Sequence, residues 1–125
     1  MIDLDSLKFV NDRYRHLFGD KVLKEFGIIL IDSIQKNDIA CRFSGDEFVV
    51  LIRDVDIDRL SQAKQKIQVA VDTRIGNNEK FHGLGFSIGP ALFNPGQPQN
   101  TDILIRITDK SMYTIKQNKK ALRLE

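Results

Sequence analysis

The sequence predicts an α/β fold of the α+β kind: a mainly antiparallel central sheet of about five strands flanked by helices, in one domain over residues 1–125. Three observations carry that expectation. Short β-branched segments alternate with long amphipathic ones, two of the short segments flank a tight turn, and no repeat, low-complexity tract or linker-like shift in composition divides the chain. At 125 residues, one hydrophobic core is expected.

Met1 to Leu4 reads as the end of a strand, with Asp5 as N-cap of a helix from Ser6 onward. From Asp20, the positions Val22, Phe26, Ile29, Leu30 and Ile34 step at helical spacing, with Lys21, Lys24 and Glu25 on the other side. Ile39 to Phe43 and Phe48 to Ile52 form a hairpin, in which Gly45 can take the positive φ that the turn Ser44-Gly45-Asp46-Glu47 needs. Leu60, Ala63, Ile67, Ala70 and Val71 mark another helix, fraying near Gly76. His82 to Phe93 alternates as a strand and stops at Asn94-Pro95-Gly96. Asp102 is placed to cap a last helix with Leu104, Ile107, Ser111 and Ile115 on its face, and Ala121 to Leu124 closes as a short strand.

Nineteen Lys and Arg against seventeen Asp and Glu leave a net charge of +2, with 42% hydrophobic and 29% charged residues. That balance belongs to a globular chain and is too weak to argue for a nucleic acid partner, although it admits a polyanionic small molecule such as a nucleotide. Cys41 stands alone, so no intramolecular disulfide forms, and no Cys/His cluster has zinc spacing; a reducing, cytoplasmic setting is expected. The longest apolar run, Phe26 to Ile31, is far short of a membrane span, and the N-terminus has no signal-like pattern, although a parent chain could be membrane-anchored.

Two acidic clusters fall at loop edges, Asp3 with Asp5 and Asp46 with Glu47. Acids in turns are commonly just solvated turn formers. Here, however, the apolar run Phe48 to Leu51 places the second cluster at the end of a core strand, and a central strand starting at Met1 would bring Asp3 beside it. Converging carboxylates bind Mg²⁺.

Several blocks in order extend that reading. Asp3-Leu4-Asp5-Ser6-Leu7-Lys8-Phe9-Val10-Asn11-Asp12 is followed by Arg15-His16-Leu17-Phe18-Gly19-Asp20, then Arg42-Phe43-Ser44-Gly45-Asp46-Glu47-Phe48, Ser87-Ile88-Gly89 and the stretch Thr108 to Lys116. Together these resemble the GGDEF family of diguanylate cyclases, over essentially the whole chain. The resemblance implies a nucleotidyl-cyclase-like fold that condenses two GTP into cyclic di-GMP with release of pyrophosphate, in bacterial second-messenger signalling. It implies Mg²⁺ or Mn²⁺ held by Asp3, the Leu4 carbonyl, Asp46 and Glu47, with Asp46 or Glu47 as proton acceptor. Asn11 and Asp20 match positions that contact the base, and His16 matches a substrate-side histidine. Backbone N–H groups around Ser6, Leu7 and Lys8, with Lys116 and Lys120, match the phosphate side. Each also has an ordinary structural reading, as helix cap, surface histidine or solvated helix end.

Five departures bear on activity. Relative to the family, the chain starts inside the first strand, without the preceding helix. Arg15 replaces a glycine, where a long cation could crowd or could bind substrate, and Ser44 replaces a signature glycine. Lys120 keeps the charge of the family's arginine without its fork. The stretch Gln35-Lys36-Asn37-Asp38 has Gln35 where a product-inhibition site would carry arginine, so no feedback inhibition is expected there. The resemblance further implies turnover by a homodimer and an upstream sensor or regulatory domain. The alternative is a catalytically inactive GGDEF-like module that binds GTP or a protein partner.

Overall fold

Alternation in the first strand sorts the molecule into two faces. The computed structural model describes residues 1–81 and 84–124, and in it Ile2 and Leu4 of β1 (Ile2–Asp5) are buried in an apolar core, while Asp3 and Asp5 point to the opposite face of the sheet. After β1 come α1 (Leu7–Tyr14), α2 (His16–Ser33), β2 (Ile39–Ser44), β3 (Glu47–Leu51), α3 (Ile57–Gly76), a 3₁₀ turn (Glu79–Phe81), β4 (Gly85–Ile88) and α4 (Thr101–Leu124). The strands run in the order β2-β3-β1-β4, with every neighbouring pair antiparallel.

Register carries the sorting across the sheet. Ile2 stands opposite Phe48 on β3 and Ile88 on β4, and Leu4 opposite Phe86, so these side chains share the apolar face. Asp3 stands opposite Glu47 and Ser87 on the other. Helix α2 covers the apolar face through Val22, Phe26, Ile29 and Leu30, and the ring of Phe26 lies 5.1 Å from that of Phe48 and 6.1 Å from that of Phe86. Truncating so enclosed a ring costs about 3–5 kcal/mol. Helix α3 adds Ile67, Val71 and Ile75 at i, i+4, i+8, and begins where the Asp56 carboxylate accepts from the Arg59 N–H at 2.8 Å.

The hairpin forms within a residue of its expected bounds, with Gly45 at φ 38° and the Arg42 Nε donating to the Gly45 carbonyl at 2.8 Å across the turn. Elsewhere the structure corrects the sequence. Helix α2 begins at His16, a turn before Asp20, because Arg15 (φ 71°) breaks the helical path and restarts it at once. Strand β4 covers only Gly85–Ile88; Pro90, which has no N–H to give a ladder, follows closely, and His82 and Gly83 lie outside the described residues. Residues 121–124 extend α4 rather than form a strand, since nothing after Lys120 interrupts a helix-favouring run. The described sheet therefore has four strands where about five were expected. Asn100, not Asp102, caps α4, accepting from the Ile103 N–H at 2.9 Å. The inward face of α4 centres on buried Met112, and Ile107, expected inward, is exposed.

Candidate active site

On the polar face of the sheet, carboxylates from two strands meet lysines from α4. The Asp3 side chain is 7% exposed, and its Oδ2 accepts from the Lys116 ammonium. Lys116 Nζ also lies 3.5 Å from Asp5 Oδ1, and Lys119 Nζ lies 3.7 Å from Asp5 Oδ2. Ser87 Oγ donates to Asp5 Oδ2 at 3.0 Å, and Lys119 donates to the Phe86 carbonyl while sitting 5.6 Å from the centre of that ring. Asp5, expected to cap α1, is thus committed to a long-range network; Ser6 takes the cap position in a left-handed conformation (φ 68°) without a side-chain hydrogen bond. The Leu4 N–H donates to the Asp46 carbonyl at 3.0 Å, tying the β1 end to the hairpin tip.

Crowding of like charge governs the electrostatics. Burial pushes the Asp3 carboxyl above its ordinary range; the Lys116 hydrogen bond and charge pull it back, but Asp46 and Asp5 push with burial and the net shift is upward. Glu47 is raised as well, first by burial and then by Asp3, Asp109 and Asp46. Burial alone would lower the Lys116 ammonium, but its bond to Asp3 and the charges of Asp3, Asp5 and Asp46 outweigh that and raise it. An ordinary ion pair lowers its acid and raises its base. Here one lysine is not enough for the carboxylates around it.

Among the described residues no three acidic, histidine or cysteine side chains form a ready-made metal cage. The donor chemistry nevertheless fits a hard divalent cation on two observations. Asp3 Oδ1 is buried without any hydrogen-bond partner, and the acids around it are under-neutralised.

The residues expected at the base form a second, open region. Asn11 on α1 is half-buried, and its Oδ1 is buried without a partner. A Cβ at Gly19 would fall 1.7 Å from that oxygen, so glycine here leaves the Asn11 amide in its present position. Asp20, one residue on, lines a groove of about 420 Å³ between α2 and the hairpin, with Lys24, Arg42 and Phe48 among its walls. Lys8 and His16 stand exposed at the starts of α1 and α2. Lys120 is exposed on α4, and among the described residues no ion pair joins it to the Asp3 network that Lys116 enters. At the C-terminal end of α2, the Asp38 carboxylate accepts from the N–H groups of Gln35 (2.9 Å) and Arg53 (3.1 Å), and the Arg59 guanidinium donates to Gln35 Oε1.

Sequence reasoning passed over Asp109 and Arg106, which with Asp3, Glu47, Tyr113 and Lys116 line a cavity of about 410 Å³ beside the carboxylates. It also passed over Ser87 and Lys119 as partners of Asp5. Spacing offered one signal: Arg106, Asp109, Tyr113 and Lys116 follow one another at three or four residues, one stripe of a helix.

Comparison with known proteins follows this geometry. The family model described as the diguanylate cyclase GGDEF domain matches residues 1–121. Diguanylate cyclase DgcS of Shewanella oneidensis is 34% identical over 116 residues, 93% of this chain and 38% of that protein. Cyclic di-GMP phosphodiesterase PdeR of Escherichia coli is 33% identical over 118 residues, 93% of this chain and 17% of that one. The chain thus spans well under half the length of these relatives. Among solved structures, the GGDEF domain of YfiN from Pseudomonas aeruginosa superposes with a TM-score of 0.79 at 28% identity, over 94% of this chain and 73% of that one. The GGDEF domain of DgcB from Caulobacter crescentus, in complex with c-di-GMP, has the same fold, with a TM-score of 0.82 at 23% identity over 94% of this chain and 70% of that one.

Proposed function

This chain belongs to the GGDEF family, and on that premise we propose that it is a diguanylate cyclase domain that joins two GTP molecules into cyclic di-GMP. The observation that carries the reading is the register that sets Asp3 opposite Glu47, with the Leu4 N–H bonded to the Asp46 carbonyl and Lys116 closing on Asp3. Similarity to DgcS supports the same activity.

In each half-reaction a ribose 3′-oxygen bonds to the α-phosphorus of the other GTP, the bond from that phosphorus to the bridging oxygen of pyrophosphate breaks, and the hydroxyl proton leaves. Asp46 or Glu47, at the hairpin tip beside Asp3, takes that proton. Asp3, the Leu4 carbonyl, Asp46 and Glu47 would hold Mg²⁺ or Mn²⁺, which when bound lowers the pKa of the hydroxyl and offsets triphosphate charge. Lys116, its ammonium freed from Asp3, and Lys120 meet phosphate oxygens, as do the N–H groups at the start of α1 around Lys8. His16 stands on the substrate side. Asn11 and Asp20 select guanine, whose N1–H and amine both donate, whereas adenine has no donor at N1. Since one chain presents one GTP, two chains meet face to face for turnover, under an upstream sensor or regulatory domain.

The test is to incubate the chain with GTP and Mg²⁺ and to look for cyclic di-GMP by mass. Product that Asp46→Ala and Glu47→Ala both abolish, in proteins that keep their helical circular dichroism, supports the cyclase. The alternative expected from the sequence is an inactive GTP-binding or partner-binding module. GTP binding without product at high protein concentration would establish it instead.

A further inference from the structure

Arg15 links α1 to α2 with φ 71° and ψ 163°, a region of backbone space close to glycine's own, because a Cβ crowds the neighbouring backbone there. Neither end of the residue is free to relax. Its N–H donates to the Asn11 carbonyl at 2.8 Å, and its carbonyl accepts from the Phe18 N–H at 3.1 Å. The side chain therefore leaves from a fixed point, one turn past Asn11 and five residues before Asp20. It is exposed, and among the described residues its guanidinium makes no hydrogen bond or ion pair. The strained Arg15 backbone lies in the link between the helices that carry Asn11 and Asp20 and bears an exposed cation with no partner among the described residues, and strain of this kind collects where a ligand is gripped.

We propose that Arg15 is a specificity residue that reads the O6 and N7 edge of the guanine base. The inference rests on the reading that Asn11 and Asp20 contact that base. Asp20 is a carboxylate and only accepts, so it can serve the N1–H and the amine but not the two acceptors on the adjacent edge. A guanidinium fork matches O6 and N7 with two parallel N–H bonds, a geometry that lysine cannot reproduce. Adenine presents an amine in place of O6 and turns a donor toward the fork. Arg15 thus adds a second, independent rejection of ATP.

Dissociation constants of GTP, 7-deaza-GTP and ATP, measured by calorimetry on the unaltered chain and on Arg15→Gly and Arg15→Lys, decide the matter. 7-Deaza-GTP keeps the donors that Asp20 would read but lacks N7. The unaltered chain should bind GTP about tenfold more tightly than 7-deaza-GTP. Arg15→Gly should bring that ratio close to one while melting at a higher temperature, and Arg15→Lys should retain only part of it. An Arg15→Gly protein that keeps the full ratio, or that binds GTP more tightly than the parent, overturns the proposal and leaves Arg15 as an obstruction. Should the unaltered chain bind no guanine nucleotide at all, the base-site reading fails, and the role of Arg15 falls with it.

Discussion

Asp3 and Asp20 are both carboxylates proposed to act on one nucleotide, yet Asp3 is buried under α4 whereas Asp20 stands exposed at the rim of an open groove. Around Asp3 every partner is fixed by strand register or by α4, and like charges are packed more densely than one ammonium can neutralise. Around Asp20 the groove is open to solvent, and the neighbouring Arg15 makes no hydrogen bond or ion pair through its guanidinium among the described residues. The buried end is preorganised at an electrostatic cost, which a divalent cation would relieve. At the open end the Asp20 carboxylate stays in solvent, and the close packing there is confined to the contact of Gly19 with Asn11.

If that contrast is right, the largest effect comes from the buried end. Asp3→Asn should lower cyclic di-GMP formation on the order of a thousandfold, by removing several kcal/mol of cation-mediated stabilisation, with little change in GTP affinity. Lys116→Met leaves Asp3 and Asp5 without their shared ammonium and should destabilise the fold by about 3 kcal/mol in a chemical melt. Mg²⁺ should restore more stability to this variant than to the parent, and equal shifts in the two proteins would break the contrast. Asp20→Asn should instead weaken GTP binding by about tenfold to a hundredfold and leave the maximal rate close to that of the parent.

A pH titration sharpens the comparison with a smaller signal. Asp3 and Glu47 are raised above their ordinary values of 3.8 and 4.5, so just above those values the folded state binds more protons than the unfolded one. Their contribution is therefore present at lower pH and is lost as pH rises through the folded-state values. Metal-free melts should show stability falling through that window, and Mg²⁺, which favours the deprotonated carboxylates, should flatten the fall. Lys116 acts in the same direction at high pH: its ammonium is raised as well, so the contribution of its pair with Asp3 is present up to the ordinary lysine value of 10.5 and is lost as pH rises beyond it. The smallest effect is expected at Asp38, whose carboxylate is already engaged by two backbone N–H groups. Cyclic di-GMP should bind weakly there, and Asp38→Ala should change that binding little.

Local pattern made most of the scaffold legible. The turn at Ser44 to Glu47 and the stripe Val22, Phe26, Ile29, Leu30 depend on near neighbours, and they formed as expected. The errors have one physical origin, which is that distant partners decide them. Asp5 looked like a cap because its partners, Ser87 and Lys119, lie more than eighty residues away for the first and over a hundred for the second. Ala121 to Leu124 alternates like a strand, but α4 simply runs on. At the site, the pairing of Asp3 with Glu47 was legible because it follows from a central strand beside an apolar one. The closure of Lys116 on Asp3, and the Asp109 stripe beside it, depended on how α4 rotates over the sheet, which its sequence leaves open.

The contact between Asn11 and Gly19 bears on how this sequence can evolve. With the Cβ position at residue 19 only 1.7 Å from the Asn11 oxygen, a side chain at 19 would force the Asn11 amide out of its present position, whereas residue 11 can shorten without any change at 19. In a saturation library, gain of a side chain at position 19 should cost guanine-nucleotide binding before it costs folding, and should be tolerated more readily in clones that have also shortened residue 11. A lineage that gave up guanine selection at Asn11 would be released from the glycine as well, and both letters would then change together as a record of lost nucleotide binding.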